Sequence, residues 1–435
     1  MSNALAPTAT AGPMPRGFYR LIAAQFCSAL ADNALLIVTI ALLQARGLPG
    51  WLAPMLKFSS TLSYVLLAPW VGPLADAVPK ARLMAWTNGL KAMALLGLMA
   101  GLNPLLCFGL LGCGAAAYAP AKYGLVTELV PAQRLVAANG WIEVSVVGAV
   151  LLGTVLGGLL VSDAAQLFAA SAMAWLAPPH ALWPALALLL TVYALSGLLN
   201  LGLPDSGARY PAASRRPTQL LKEFGAANRL LWRDPLGGLS LAVTTLFWGV
   251  GATLQFAVLR WAVDALGLSL SQAATLQAAV AVGVVFGAAT AGRFIALAQA
   301  RRVLPAGIVL GLGIALAASL PSRAAALPML ALIGAVGGLL VVPMNALLQH
   351  RGQLLLSAGR SIAVQNFNEN LSILLMLAGY ALLLALDLPI VPLMRLLGWV
   401  TATLVLLLVL RQRLMPRPVP AAAPEPDASR PQPAR

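Results

Sequence analysis

The 435-residue sequence predicts an all-α polytopic membrane protein with twelve transmembrane helices in two pseudo-symmetric halves of six. Composition is the first reason: 60% of the residues are hydrophobic and only 9% charged, against about 25% charged in a soluble globular chain. Mean hydropathy is +0.86. The second is the length of the apolar runs, which match the roughly 20 residues a helix needs to cross about 30 Å of hydrocarbon. No alternating ten-residue pattern of a membrane barrel is present. A basic connector and an internal repeat supply the third.

Taken in order, the runs fall at 18–44, 52–74, 83–101, 104–125, 135–161 and 182–201, then at 237–261, 271–298, 303–320, 327–348, 361–386 and 390–410. The first is too long for a signal-peptide core and no cleavage site follows it, so it reads as a retained helix. The expected organisation is a tail over 1–17, a six-helix bundle over 18–203, a basic linker over 204–235, a second bundle over 236–411 and a Pro-, Ala- and charge-rich disordered tail over 412–435.

Cationic loops resist translocation, so Lys and Arg set the orientation. With a cytoplasmic N-terminus, that side collects Arg16, Arg20, Lys80, Arg82, Lys122, Arg134, the linker cations and Arg411, while the other keeps little beyond Arg46, Arg260 and Arg323. Both termini are therefore expected in the cytoplasm. The same distribution explains a net charge of +15: the cations flank helices and form no nucleic-acid-binding motif. Attraction to membrane lipid headgroups is a secondary effect.

Duplication is visible when "YAPAKYGLVTELVPAQRLVAANGWIEVS", from Tyr118, is laid on "VVPMNALLQHRGQLLLSAGRSIAVQNFNENLS", from Val341. Pro120 pairs with Pro343, Lys122 with Asn345, Trp141 with Phe367 and Glu143 with Glu369. Parallel six-helix repeats with a site at their interface are typical of secondary transporters.

Several chemistries lack residues. His180 and His350 are the only histidines, and neither opens the His-x-x-x-x-Asp arrangement of a glycerolipid acyltransferase. No phosphate-binding Gly-x-x-x-x-Gly-Lys-Ser/Thr loop exists. Cys27, Cys107 and Cys113 lie inside spans without metal-ligand spacing and read as small buried hydrophobes. Neither cofactor nor metal is expected, and the chain reads as a non-enzyme.

The segment "GPLADAVPKARLM", from Gly72, resembles the loop signature of the major facilitator superfamily through Gly72, Asp76, Lys80 and Arg82. Its physical sense is close packing at the glycine, then an acid and bases that pair or cap helix ends and latch the halves. Here Ala77 and Val78 stand where a base often follows the aspartate. The set "AQFCSALADNALL", "GAAAYAPAKYG", "TTLFWGVGATLQF", "VVPMNALLQHRG" and "AVQNFNENLS" is more specific and is similar to the bacterial lysophospholipid transporter family across essentially all twelve spans. That resemblance implies the major facilitator fold. It also implies flipping of lysophospholipids, notably lysophosphatidylethanolamine, from the outer to the inner leaflet of the bacterial inner membrane. A functional partnership with a cytoplasmic acyltransferase/acyl carrier protein synthetase, which reacylates them, is implied as well.

Within that frame Asp32 is the first candidate. An acid at mid-span costs about 2.5–3.5 kcal/mol on insertion scales and so faces a bundle interior or a wet cavity. It is expected to bind a headgroup amine or pair with a cation during gating, the other reading being a helix-packing salt bridge. Asn33 points about 100° away around the helix. Lys122 meets a headgroup phosphate or anchors topology; Glu143 and Glu369, equivalent in the repeats, line the inter-half path or brace helices. Asn366, Asn368 and Asn370 flank Glu369. The resemblance implies an arginine in the seventh span that pairs with Asp32, but this chain has the neutral Gln255 there; that departs from a direct lock, which Gln255 by hydrogen bonding or Arg260 by reaching inward would have to replace. Lys57 and Lys91 line the path or snorkel, and Arg395 snorkels. The glycine pairs Gly97/Gly101, Gly153/Gly157, Gly283/Gly287 and Gly334/Gly338 read as packing faces in a monomer. Two other readings stand beside the flippase: a proton-coupled exporter of amphipathic drugs, and a non-transporting scaffold for the acyltransferase.

Overall fold

The computed structural model describes residues 13–49, 51–172, 181–208, 210 and 216–414. His180, the first twelve residues, part of the linker and 415–435, which hold most of the expected C-terminal tail, lie outside the described residues. Those described form α1 (Arg16–Ala45), α2 (Leu52–Ala77), α3 (Lys80–Met99), α4 (Pro104–Leu129), α5 (Leu135–Leu160), α6 (Asp163–Ala172) and α7 (Trp183–Leu201). After the connector come α8 (Pro217–Arg233), α9 (Pro235–Asp264), α10 (Leu270–Phe294), α11 (Ala306–Ala317), α12 (Arg323–Leu355), α13 (Ala358–Ala385) and α14 (Ile390–Leu414). The twelve expected spans correspond to all of these except α6 and α8. Among the described residues ten helices are long and apolar enough to cross a bilayer, counting α11 together with the 3-10 turn Leu297–Val303 before it. The other two, α2 and α3, carry Lys57, Asp76, Lys80, Arg82 and Lys91.

Local chemistry sets the helix ends. Asn103 accepts from the Leu105 amide at 2.9 Å and Pro104 opens α4, where a missing N–H costs nothing. Asp234 and Pro235 repeat the device at α9, with the Gly237 amide 2.6 Å from the carboxylate. Ser269 and Gln272 form a reciprocal capping box on α10. Interior prolines lie at Pro69 and Pro73 in α2, Pro120 in α4, and Pro328 and Pro343 in α12.

Several boundaries differ from expectation. The segment from Gly72 to Met84 is two helix ends joined by Val78 and Pro79, because Pro79 cannot continue α2 and instead precedes α3. The linker contains α8, whose Leu220, Phe224, Ala227 and Leu231 recur at helical spacing. The last span continues through Leu414, and the ninth is shortened to α11 by its leading 3-10 turn.

In the first half α1 packs against α5 and α7, α2 against α4, and α3 against α4 and α7; in the second, α10 packs on α12, α11 on α14 and α9 on α12 and α13. One apolar core lies within each half, around Leu35, Leu56, Leu95 and Tyr193 and around Trp261, Leu276, Leu330 and Met394. A third joins them at the end of the bundle where α1 starts and α14 finishes, hereafter the basic end, where Phe18, Leu21, Ala75 and Leu125 meet Ala288, Val341 and Ala346.

The tightest helix pair is α10–α12. A Cβ on Gly287 would land on the Ala335 carbonyl, and one on Gly334 on the Val280 carbonyl. Only the absence of side chains lets these backbones meet.

Candidate functional site

On α1, Gln25, Ser28 and Asp32 follow each other at three and four residues, so they share one face. That face carries a polar network. Lys91 of α3 reaches the Asp32 carboxylate at 2.6 Å, and the Tyr193 hydroxyl of α7 donates to its other oxygen at 2.7 Å. Lys91 also donates to Ser28 Oγ at 3.0 Å and lies over the Tyr118 and Tyr193 rings, 5.5 and 5.9 Å from their centroids. The chain continues from Ser28 to Asn88 Oδ1, from Asn88 Nδ2 to Ser196 Oγ, both 2.9 Å, and from Ser196 to the Ala24 carbonyl. The lysine side chain is 3% exposed while the aspartate is 33% exposed. The pair therefore presents its negative member to the open space and sheathes its positive one in hydroxyls and rings.

One turn or more toward the basic end, Lys122 is buried on α4. It donates to Gln25 Oε1 at 3.0 Å and sits 4.1 Å from the Tyr123 ring centroid, and Gln25 in turn donates to Ser145 of α5 at 2.9 Å. Glu143, also on α5, is buried without a direct hydrogen bond or ion pair among the described residues, and it lies in electrostatic range of both Lys122 and Glu369. Glu369 of α13 is buried and accepts from Gln365 Nε2 at 2.8 Å; the same nitrogen reaches Asn345 Oδ1 at 2.9 Å. The two repeat-related glutamates thus come from opposite halves toward one region. Beside them Gln365 Oε1 and Asn366 Nδ2 are buried without a hydrogen-bond partner, and an unmet polar atom in an apolar bundle is a standing demand for a polar guest.

The remaining candidates lie elsewhere. Asn33 donates to the Ala29 carbonyl at 2.8 Å, with its Cβ near Gly153 at the α1–α5 contact. Asn368 points to the linker helix, taking the Trp232 indole N–H at 3.1 Å and donating to Asn228 at 2.9 Å. Asn370 bonds back to the Asn366 carbonyl. Gln255 is exposed, and Arg260 pairs with Asp264 at 2.9 Å along the same helix. Arg260 borders a recess of about 410 Å³ at the other end of the bundle, with Asp387 and Leu388. Neither residue partners Asp32, because Lys91 already does. Lys57 is exposed within electrostatic range of Asp32, and Arg395 donates to Ser319 at 2.9 Å.

At the basic end the loop signature operates as a latch. A Cβ on Gly72 would come within 2.9 Å of Ala363 Cβ and 3.0 Å of Arg360 Cα on α13. Asp76 accepts from the Gly359 amide at 2.9 Å and from the Ser357 hydroxyl, so a carboxylate of one half caps the first turn of a helix in the other. Lys80 pairs with Glu128 at 2.6 Å, and Tyr210 donates to Glu128 at 2.9 Å. Arg82 is exposed. Sequence reasoning missed a second latch, in which Asn139 of α5 and Gln349 of α12 exchange hydrogen bonds of 2.8 and 2.9 Å. Sequence reasoning also missed Lys91 as the partner of Asp32, because that pairing depends on where α3 is packed in the bundle. Among the described residues no group of His, Cys, Asp and Glu could hold a metal ion.

A bundle of two latched halves with buried charges near the seam is the architecture of a secondary transporter. The model of the Major Facilitator Superfamily matches residues 21–376. Among solved structures, the transporter FucP in its outward conformation aligns with a TM-score of 0.70 at 17% identity, covering 91% of this chain and 98% of FucP. A bacterial homologue of the iron transporter ferroportin aligns at 0.66 and 15%, covering 92% and 100%. These likenesses show the fold. The lysophospholipid transporter LplT of Yersinia pestis (strain Pestoides F) is 42% identical over 379 residues, 87% of this chain and 89% of that protein. Its counterpart from Yersinia pseudotuberculosis serotype I (strain IP32953) matches equally. The chain belongs to the major facilitator superfamily and, within it, to the lysophospholipid transporter family.

Proposed function

We propose that this protein moves lysophospholipids, lysophosphatidylethanolamine among them, from the outer to the inner leaflet of a bacterial inner membrane by alternating access between its two halves. The 42% identity to named lysophospholipid transporters over 87% of the chain carries the substrate class. The polar residues fit that cargo. A zwitterionic headgroup has an ammonium for the partly exposed Asp32 carboxylate, while its phosphate suits Lys122; a single acyl tail stays against apolar helix faces. Glu143 and Glu369 line the path between the halves, 18–203 and 236–411, with Gln365 and Asn366 offering unmet hydrogen-bonding atoms. Asn33 and Asn368 serve packing and the linker. Gln255 and Arg260 stand further out, toward the entry side.

In this reading the chain is a monomer, carries no active site and delivers its cargo to the acyltransferase/acyl carrier protein synthetase in the cytoplasm. Both termini face the cytoplasm, and the basic end is the inner end. The positive charge gathered there supports that orientation.

The test is flipping of headgroup-labelled lysophosphatidylethanolamine in proteoliposomes containing only this protein, with and without a proton gradient. Wild type flips without the gradient, and Asp32→Asn, which keeps a polar partner for the buried Lys91, slows flipping tenfold or more per folded molecule. Absence of flipping by folded wild type would overturn the reading.

A further inference from the structure

The linker helix α8 spans the seam. Its inner face packs Leu220, Phe224 and Ala227 over Pro69 and Pro73 of α2 in one half and beside Ala363 of α13 in the other. Phe224 meets Phe367 edge-on at 5.2 Å, Glu223 takes Arg360 at 3.0 Å, and Trp232 and Asn228 bond Asn368. The contact with α2 begins roughly 6–14 Å before that helix ends, at 1.5 Å per residue. Thus α8 lies beside the bundle at headgroup depth, next to the exposed Leu66, Trp70 and Leu74 of α2.

Its other face has an unbalanced charge. Lys222, Arg229 and Arg233 fall within about 40° of one another on the helical wheel, opposite the buried Ala227 and Leu231. All three are exposed and none has an ion-pair partner among the described residues. The acid of this helix, Glu223, is held by Arg360 on the inner side. Exposed Leu221, Trp232 and Leu230 flank the cationic stripe. A basic stripe bordered by apolar and indole side chains is the chemistry of a helix lying in a membrane interface.

We propose that the outer face of α8 binds the anionic headgroup layer of the leaflet at the basic end, and that this attachment presses α8 across α2 and α13 and favours closure of that end. Surface charge in the leaflet then biases the transport cycle, whichever lipid the chain carries.

The test is amide hydrogen exchange of 217–233 in the full chain, held in phosphatidylcholine nanodiscs or in discs where phosphatidylglycerol replaces a third of the lipid. In wild type, exchange is roughly tenfold slower in the anionic discs at low salt, within what three cations at a charged surface supply. The difference vanishes in the triple variant Lys222→Gln, Arg229→Gln, Arg233→Gln, whose α12 exchange matches wild type. If that variant does not fold, a salt series on wild type decides, because protection from surface charge is lost by about 0.5 M salt. Equal exchange in both discs would overturn the proposal and leave the stripe to an acidic protein partner. Protection that persists in the variant or at high salt would overturn it equally.

Discussion

The α10–α12 contact within the second half and the α2–α13 contact between the halves are both close, yet they are built from different materials. In the first, Gly283, Gly287, Gly334 and Gly338 each bring a backbone against a carbonyl of the partner helix. In the second, the mutual approach of Gly72 and Gly359 is joined by a carboxylate cap, and its neighbour α5–α12 uses a reciprocal amide pair. Four glycines in register leave the α10–α12 pair no polar side chain to exchange, whereas the α2–α13 pair adds polar groups to its glycine contact. Side-chain hydrogen bonds are made and unmade one at a time, each contributing about 1 kcal/mol net. If the halves rock as proposed, the α10–α12 contact is expected to stay closed and the α2–α13 contact to open.

The largest effect should come from filling the rigid contact. Gly287→Leu puts a side chain into the Ala335 carbonyl, and overpacking against backbone exceeds the usual 1–3 kcal/mol or so of a crowded core. We expect loss of the monodisperse peak in size-exclusion chromatography, whereas Gly251→Leu, at a glycine with open space around it, keeps the peak. Equal behaviour of the two would erase the distinction.

Removing the cap comes next. Asp76→Ala leaves the Gly359 amide without its acceptor, and loss of a cap costs about 1 kcal/mol. This shifts the balance toward an open basic end by about fivefold. Double electron–electron resonance between spin labels replacing Leu74 and Leu354, both exposed, should show the longer distance gain population. Folding yield should stay near wild type. An unchanged distance distribution would show that the latch is not limiting.

The amide pair should give a non-additive effect. Asn139→Leu or Gln349→Leu alone strands a buried amide and lowers thermal stability by about 1–3 kcal/mol, while the double replacement costs less than the sum. Strict additivity in a thermal-shift cycle would mean that the two bonds do not act as a unit. Smallest of all, Arg260→Ala breaks an exposed pair with Asp264 and should leave melting temperature unchanged within error.

The twelve-span fold was legible because apolar run length is a direct consequence of bilayer thickness. The need of Asp32 for a partner was equally legible from its cost at mid-span. Its partner was not, since Lys91 reaches it through the packing of α3 on α7 and α4, a tertiary fact that spacing within α1 does not contain. The attention drawn to Gln255 and Arg260 came from resemblance, and their distance from Asp32 follows from how α9 is placed. Asn368 shows a related limit. Its position beside Glu369 in sequence suggests a shared site, but neighbours on a helix point about 100° apart, and Asn368 ends on α8. The linker helix itself carried a readable signal, apolar residues at helical spacing behind Pro217, hidden by the charge around it.

The polar character of α2 and α3 has a consequence for how the protein is made. With Lys80, Arg82 and Lys91, α3 is too costly to leave the translocation machinery alone and dwell in lipid. The carboxylate that offsets Lys91 sits on α1, and the glutamate that offsets Lys80 sits on α4. We therefore expect α3 to be held in the bilayer by α1 and α4 together, so that truncation after α3 lowers its membrane insertion relative to truncation after α4. All the contacts that fix Asp32, from Lys91 and Tyr193, lie within the first half.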